Sequence, residues 1–383
     1  MASPTDDTST LASPDRQSLS LSDATFAIRP RPTIDLRFLQ ERSGFHPLTT
    51  EDVHEAFVNS SKQPPLETAL PDLIQHGHFR RAAEASLKEL LSCSPNDAER
   101  IFKLLYTRLA CLALISRPDL AAHEAAALTD YLARSPPGAA DVLPLVPWEL
   151  RILLVRLQSI NAEDGGRRAV MSLYALTAEV RSHIRTARSS SNRSDLQLWS
   201  TRLRELGWKV VDLLVEMGEL ETASRHLDTL MEVDQNDLAY RKALLRLRVG
   251  DVKGARRNID LVQDPALQAA LKALSEFTDG RAPEAVSLCR SRASEGAADS
   301  LFASNMAVGL LYTGHITSAR EILEAIVEKQ PAFPGLLFNL GTVYELCSDQ
   351  AIERKAGLVR TMAGKDPMPD SGGWERVNFE FKL

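Results

Sequence analysis

The chain has 383 residues, 44% hydrophobic, 25% charged and only 6% aromatic, a balance that fits a globular protein rich in helix formers and argues against an all-β fold. A formal net charge of -6 provides no strongly basic surface for collecting phosphates, which counts against nucleic-acid binding. The four cysteines, Cys93, Cys111, Cys289 and Cys347, form no C-x-x-C pair, so neither a disulfide framework nor a structural zinc site is expected; no apolar run is long enough for a bilayer and no signal peptide opens the chain, so it reads as intracellular.

Residues 1–30 are rich in Ser, Thr, Asp and Pro and cannot bury enough apolar surface to offset chain entropy, so a disordered arm is expected there. Residues 1–60 carry 5 Lys/Arg and 9 Asp/Glu, which concentrates the excess acidity at this end. Over residues 31–65 apolar side chains return (Ile34, Leu36, Phe38, Leu39, Phe45, Phe57) without a sustained helical run. This reads as a short docking segment that packs on the protein's own body.

From residue 66 to 365 apolar side chains recur at three- and four-residue spacing between short polar breaks, the pattern of successive amphipathic helices. A glycine followed five residues later by an alanine recurs at the junctions: Gly77 and Ala82, Gly218 and Ala223, Gly250 and Ala255, Gly280 and Ala285, Gly314 and Ala319. From Gly218 onward successive glycines lie 32, 30 and 34 residues apart, the period of tetratricopeptide repeats. Glycine permits the left-handed conformation that ends the first helix of a pair, and a small alanine lets the second helix approach closely. The last units fit best, with Asn305, Met306 and Ala307 before Gly314, and Asn339, Leu340, Gly341 and Tyr344 in the next unit, where Ser348 replaces the turn glycine.

Between 98 and 190 the register loosens. Helical pairs are expected near 98–134 and 146–188, separated by Ser135-Pro136-Pro137-Gly138 and interrupted by Asp164-Gly165-Gly166, with the polar run 188–194 as a mobile loop. Phe379, Phe381 and Leu383 make residues 366–383 a capping tail for the last repeat. The predicted fold is all-α, a tetratricopeptide-like α-α superhelix (solenoid) of about seven to eight helix pairs with a disordered N-terminal arm, its concave face lined by the first helices of the pairs.

No phosphate loop, H-E-x-x-H or G-x-S-x-G is present, so no catalytic residue, cofactor or metal is assigned and the chain reads as no enzyme. His76 and His78 flank Gly77 without a third ligand and read as a solvated turn. Trp148, Trp199 and Trp208 read as core packing, and Arg202, Arg204 and Lys209 as a solvated basic face. Asn305 and Asn339 occupy one repeat position, and with Tyr344 they are candidate contacts to a peptide in the groove.

Two stretches go further than repeat periodicity. Leu145-Val-Pro-Trp-Glu-Leu-Arg-Ile-Leu153, and the block from Asn305 through Leu337-Phe-Asn-Leu-Gly-Thr-Val-Tyr-Glu-Leu346 to Phe379-Glu-Phe-Lys-Leu383, resemble the subunit-twelve family of the trafficking protein particle complex (TRAPP), tetratricopeptide proteins of ER-to-Golgi and autophagy traffic. Leu73-Ile-Gln-His-Gly-His-Phe-Arg-Arg-Ala82, Leu196-Gln-Leu-Trp-Ser-Thr-Arg-Leu203 and Val249-Gly-Asp-Val-Lys-Gly-Ala255 support the match. The arm is shorter than in the family and the 98–140 region more compact. The resemblance implies a non-catalytic scaffold subunit of a vesicle-tethering and Rab nucleotide-exchange assembly. Its expected partners are subunits eleven, eight and thirteen, with Rab GTPase and Golgi or ER-Golgi membranes reached through the complex and no nucleic acid. The alternative is a co-chaperone adaptor that binds peptide C-termini; it needs cations beside Asn305, where Phe302, Ala303 and Ser304 stand instead.

Overall fold

Helix follows helix along the chain, and neighbours pair through tight turns. The computed structural model describes residues 34–134, 142–160, 164, 166–231, 233–294, 300–347, 349–369 and 372–382, all within one unit, Ile34–Leu383. The arm expected at 1–30, the 135–138 break, the replaced turn at Ser348 and the terminal Leu383 fall outside the described residues.

Among the described residues a short helix α1 (Glu55–Val58) precedes eight helical pairs: α2 (Leu70–Gln75) with α3 (Phe79–Ser92), α4 (Ala98–Leu114) with α5 (Pro118–Arg134), α6 (Trp148–Leu157) with α7 (Arg167–Ser189), α8 (Arg193–Glu216) with α9 (Leu220–Thr229), α10 (Gln235–Val249) with α11 (Val252–Ile259), α12 (Pro265–Thr278) with α13 (Ala282–Ser294), α14 (Ser300–Tyr312) with α15 (Ile316–Lys329), and α16 (Pro334–Cys347) with α17 (Ala351–Ala363). Among the described residues the only β pairing is an isolated bridge between Val53 and Val377.

Gly77, Gly218, Gly250, Gly280 and Gly314 all adopt positive φ, from +75° to +87°. At each turn the next residue's N–H donates to a carbonyl five positions back: His78 to Leu73, Glu219 to Leu214, Asp251 to Arg246, Arg281 to Glu276 and His315 to Leu310, at 2.8–2.9 Å. This bond satisfies a helix-end carbonyl that would otherwise be orphaned. The partner alanines Ala82, Ala223, Ala255, Ala285 and Ala319 are completely buried.

The α4–α5 turn has the same geometry without glycine. Ser116 sits at φ +62°, Arg117 donates to Leu112 at 2.9 Å, and Ala121, five residues on, is completely buried. The run 188–194, expected as a loop, is mostly helix. Helix α7 continues to Ser189, Ser191 takes φ +54°, and the Asn192 side chain accepts from the Asp195 N–H at 3.2 Å to start α8.

Apolar clusters run from pair to pair. One joins Leu36 and Leu39 to helices α2 to α6, a second spans α6 to α10, smaller ones continue to α14, and the last fills α14 to α17. This last cluster also takes in Val53, Phe57, Trp374 and Phe381, so segments from both ends of the chain complete it. The Phe57 ring lies 5.5 Å from that of Trp374 and 6.2 Å from that of Phe381.

The two ends of the array are thereby joined. Ser60 Oγ donates to the Ala363 carbonyl at 2.6 Å, the Asn378 N–H to the Asp52 carbonyl at 2.9 Å and the Trp374 N–H to the Gly77 carbonyl at 3.1 Å. Arg80 pairs with Glu375 at 3.1 Å, and Arg117 with Asp52 at 2.7 Å. The tail presses on the first turn so closely that a Cβ at Gly77 would lie 3.1 Å from the Met368 and Pro369 backbone. The solvated turn expected at His76 and His78 is therefore half right: His76 is exposed, whereas His78 is buried with its ring 5.3 Å from that of Trp374. Burial lowers the His78 pKa, helped by His76 and Arg81.

A buried ion pair fixes the N-terminal segment further along. Arg108 donates to both Glu124 oxygens at 2.8 and 2.9 Å, to the Ala83 carbonyl at 3.1 Å and to the His46 carbonyl at 2.8 Å. Glu124 accepts in turn from the His46 N–H at 2.9 Å. Both side chains are essentially inaccessible, which is tolerable because nearly every polar atom has a partner.

Candidate functional site

Four first helices, α4, α6, α8 and α10, line a groove of about 700 Å³, joined by Leu173 of α7 and Leu227 of α9. Its floor is apolar, with Ile152, Leu153, Leu213, Val215 and Leu244, and its rim is charged. Arg156 pairs with Glu216 and Arg241 with Asp212 at 2.8 Å. Glu149, Lys209 and Arg248 also line it, are exposed and show no ion pair among the described residues. An apolar floor with charges of both signs at the edge suits an amphipathic segment of another protein better than a small polar ligand.

The shoulder of this groove is held by stacked aromatic and cationic side chains. Trp148, at the start of α6, is buried and donates from Nε1 to Glu205 at 3.0 Å. The Arg202 guanidinium lies 4.9 Å from the Trp148 ring and 4.7 Å from the Trp199 ring, and His183 stacks on Trp199 at 4.1 Å. Arg151 forms a two-pronged bond to Glu179 at 2.8 and 2.5 Å, which holds the Glu179 carboxyl below its usual pKa. Planar cations between aromatic faces align α6, α7 and α8 without the conformational looseness of lysine. Arg202, read from sequence as solvated, is thus a packing residue. Trp199 and Trp208 are half-buried, the latter under Arg241 at 4.6 Å. Arg204 is exposed and Lys209 reaches the groove.

Asn305 and Asn339 are half-buried on α14 and α16, and neither lines the 700 Å³ groove. Tyr344 is buried. Burial and a hydrogen bond to Glu324 on α15 raise its pKa, and Arg354 of α17 covers its ring at 5.9 Å. The structure therefore does not gather these three residues into the groove. The groove residues themselves, such as Leu153, Lys209 and Leu244, stand at ordinary helical spacing and carry no local signal. Their convergence follows from the stacking of four pairs. Phe381 is buried in the last pair, but Phe379 is 60% exposed and does not help to cover it.

Among the described residues no group of three or more His, Cys, Asp or Glu is placed to hold a metal ion, and no helix is long and apolar enough to cross a membrane. Burial pushes the Cys111 thiol up to about 12 and the Cys289 thiol up to about 11, away from nucleophilic use.

No family model matches the chain. Over 257 residues, 63% of this chain, it is 25% identical to trafficking protein particle complex subunit 12 of Mus musculus and 24% identical to that of Homo sapiens. The match spans about a third of those relatives' length, 30% and 32% respectively. Among solved structures, a tetratricopeptide repeat protein from Parabacteroides merdae overlays at TM-score 0.40 with 14% identity, covering 68% of this chain and 90% of that one. The P58(IPK) TPR domain overlays at TM-score 0.21 with 16% identity, covering 76% and 90%. With five of its helical pairs turning on a glycine followed five residues later by a buried alanine, at tetratricopeptide spacing from Gly218 onward, the chain is a tetratricopeptide-type repeat protein similar to trafficking protein particle complex subunit 12.

Proposed function

We propose that this chain is a non-catalytic scaffold subunit of a TRAPP vesicle-tethering and Rab guanine-nucleotide-exchange assembly, acting in ER-to-Golgi transport and autophagy. It is cytoplasmic in this reading and peripherally associated with Golgi and ER-Golgi membranes through its complex. The similarity to subunit 12 over 257 residues carries the proposal. The inner groove supports it, because an apolar floor with a mixed-charge rim is a surface for a partner's amphipathic segment. Subunits eleven, eight and thirteen are the proposed partners, and Asn305 and Asn339 remain candidate secondary contacts. The groove would supply binding area, with modest affinity per pair that sums along the array.

The test is affinity purification of the tagged chain from its own cells, with mass spectrometry and a Rab exchange assay on the eluate. TRAPP subunits and exchange activity in the eluate, with none from the isolated chain, are expected. Recovery of chaperones alone would replace this reading with the co-chaperone adaptor.

A further inference from the structure

Helices α7 and α8, 23 and 24 residues long, outreach the 10-residue helices on either side, α6 and α9. Helix α6 meets α8 at Glu216 through Arg156 and, from its first residue Trp148, at Glu205, Arg202 and Trp199. On α7 it pairs Arg151 with Glu179. Leu230, the residue after α9, packs against α8 at Gly207. Beyond His183 and Trp199, the level at which Trp148 reaches the pair, α7 runs on to Ser189 for roughly 9 Å at 1.5 Å per residue.

This tip is basic in an acidic chain. Arg181, Arg185 and Arg188 follow one face of α7 at helical spacing, and Arg193 opens α8; all four are exposed, and none forms an ion pair among the described residues. The one acidic residue across 180–198 is Asp195, and its carboxylate is taken up by the Asn192 side chain at 2.9 Å. Elsewhere exposed arginines are often paired, as Arg100 with Glu89, Arg134 with Asp130 and Arg225 with Glu221. Folding does not call for Arg193, since a cation in the first turn opposes the helix dipole. The sequence-level expectation that no basic surface exists holds for the average charge and fails at this point.

We propose that the α7–α8 tip is a direct contact for an anionic phospholipid bilayer. The inner groove stops at Leu173 and Glu205, so the tip offers cations on a projecting end instead of a cleft that would select a peptide's side chains. A bilayer needs no cleft: its headgroup phosphates and carboxylates attract any basic projection that comes within a Debye length. Leu198, 46% exposed on the flank of α8, adds an apolar side chain at headgroup depth. This inference concerns the chain's own lipid contact and does not rest on the proposed membership in a complex.

The experiment is flotation of the full chain with vesicles of phosphatidylcholine doped with phosphatidylserine, against phosphatidylcholine alone. The variants are R181S/R185S/R188S/R193S and a charge-matched control at exposed sites on other helices, R225S/R257S/R290S/R360S. Each arginine near an anionic surface is worth roughly fivefold, so the tip variant should lose binding by about a hundredfold or more. The control should retain it, and neutral vesicles should bind neither. Equal loss in both variants, or no binding of the unaltered chain to the anionic vesicles, overturns the proposal. So does tip-dependent binding of polyglutamate or single-stranded RNA at concentrations where anionic vesicles are ignored. Unchanged circular dichroism and melting temperature in the tip variant establish that the loss is not unfolding.

Discussion

The seams inside the helical pairs and the closure between the two ends bury comparable side chains but are built differently. A seam such as α10 against α11 is local and small: Ala255 fits under a preceding helix that ends at Gly250. The closure brings Phe57 against Trp374 and Phe381 across more than three hundred residues of sequence, and surrounds them with ion pairs and backbone bonds. Seams repeat because each follows from a short stretch of chain. The closure occurs once and depends on side chains that nothing local demands.

Three large substitutions separate the two. Arg108→Ala should cost about 3–5 kcal/mol, because it strands the buried Glu124 carboxylate and frees the His46 peptide; chemical denaturation would show it, and a loss under 1 kcal/mol would mean that water replaces the guanidinium. Phe57→Ala should cost a similar 3–5 kcal/mol. In addition it should expose residues 49–63 and 366–382 to protease before the helices melt, and simultaneous cleavage everywhere would deny the closure any separate status. Ala255→Leu, a seam probe, should cost about 1–3 kcal/mol through overpacking without that selective cleavage.

Two smaller effects sharpen the contrast. Ser116→Gly should raise stability by up to about 1 kcal/mol, since it relieves positive φ at a turn where five other pairs use glycine. His78 tests the closure by pH. Its folded pKa lies below the unfolded value near 6.5, so the unfolded chain takes up the proton first. The contribution is intact above pH 6.5 and is lost as pH falls from there through the lowered folded value. His78→Gln should flatten the denaturation midpoint over that window in part only, because His226 is shifted the same way by burial.

The same contrast explains what could be read from sequence. Gly250 and Ala255 announce a turn and a seam within six residues, so the repeat and its period were legible. The register was lost between 98 and 190 for a specific reason: Ser116 performs the turn with Ala121 behind it, and a search for glycine passes over it. A Ser–Ala pair five apart between two apolar-periodic runs was the available signal. Trp374, Arg80 and Phe57 carry no such signal, since their partners are set by where a long array happens to end. The groove fares likewise, and Tyr344, chosen for its place in a repeat phrase, answers to Glu324 and Arg354.

A linear repeat array ordinarily frays from whichever terminal unit is weakest, because an end unit has one neighbour instead of two. Here the first pair contacts, through Gly77 and Arg80, the tail residues Trp374 and Glu375, and Trp374 packs in the cluster of the last pair, so neither end is free in that sense. Unfolding then has no preferred starting point and should approach a single cooperative transition. Its reverse must bring Asp52 to Asn378, a contact of extreme sequence separation that belongs to the slowest phase of folding.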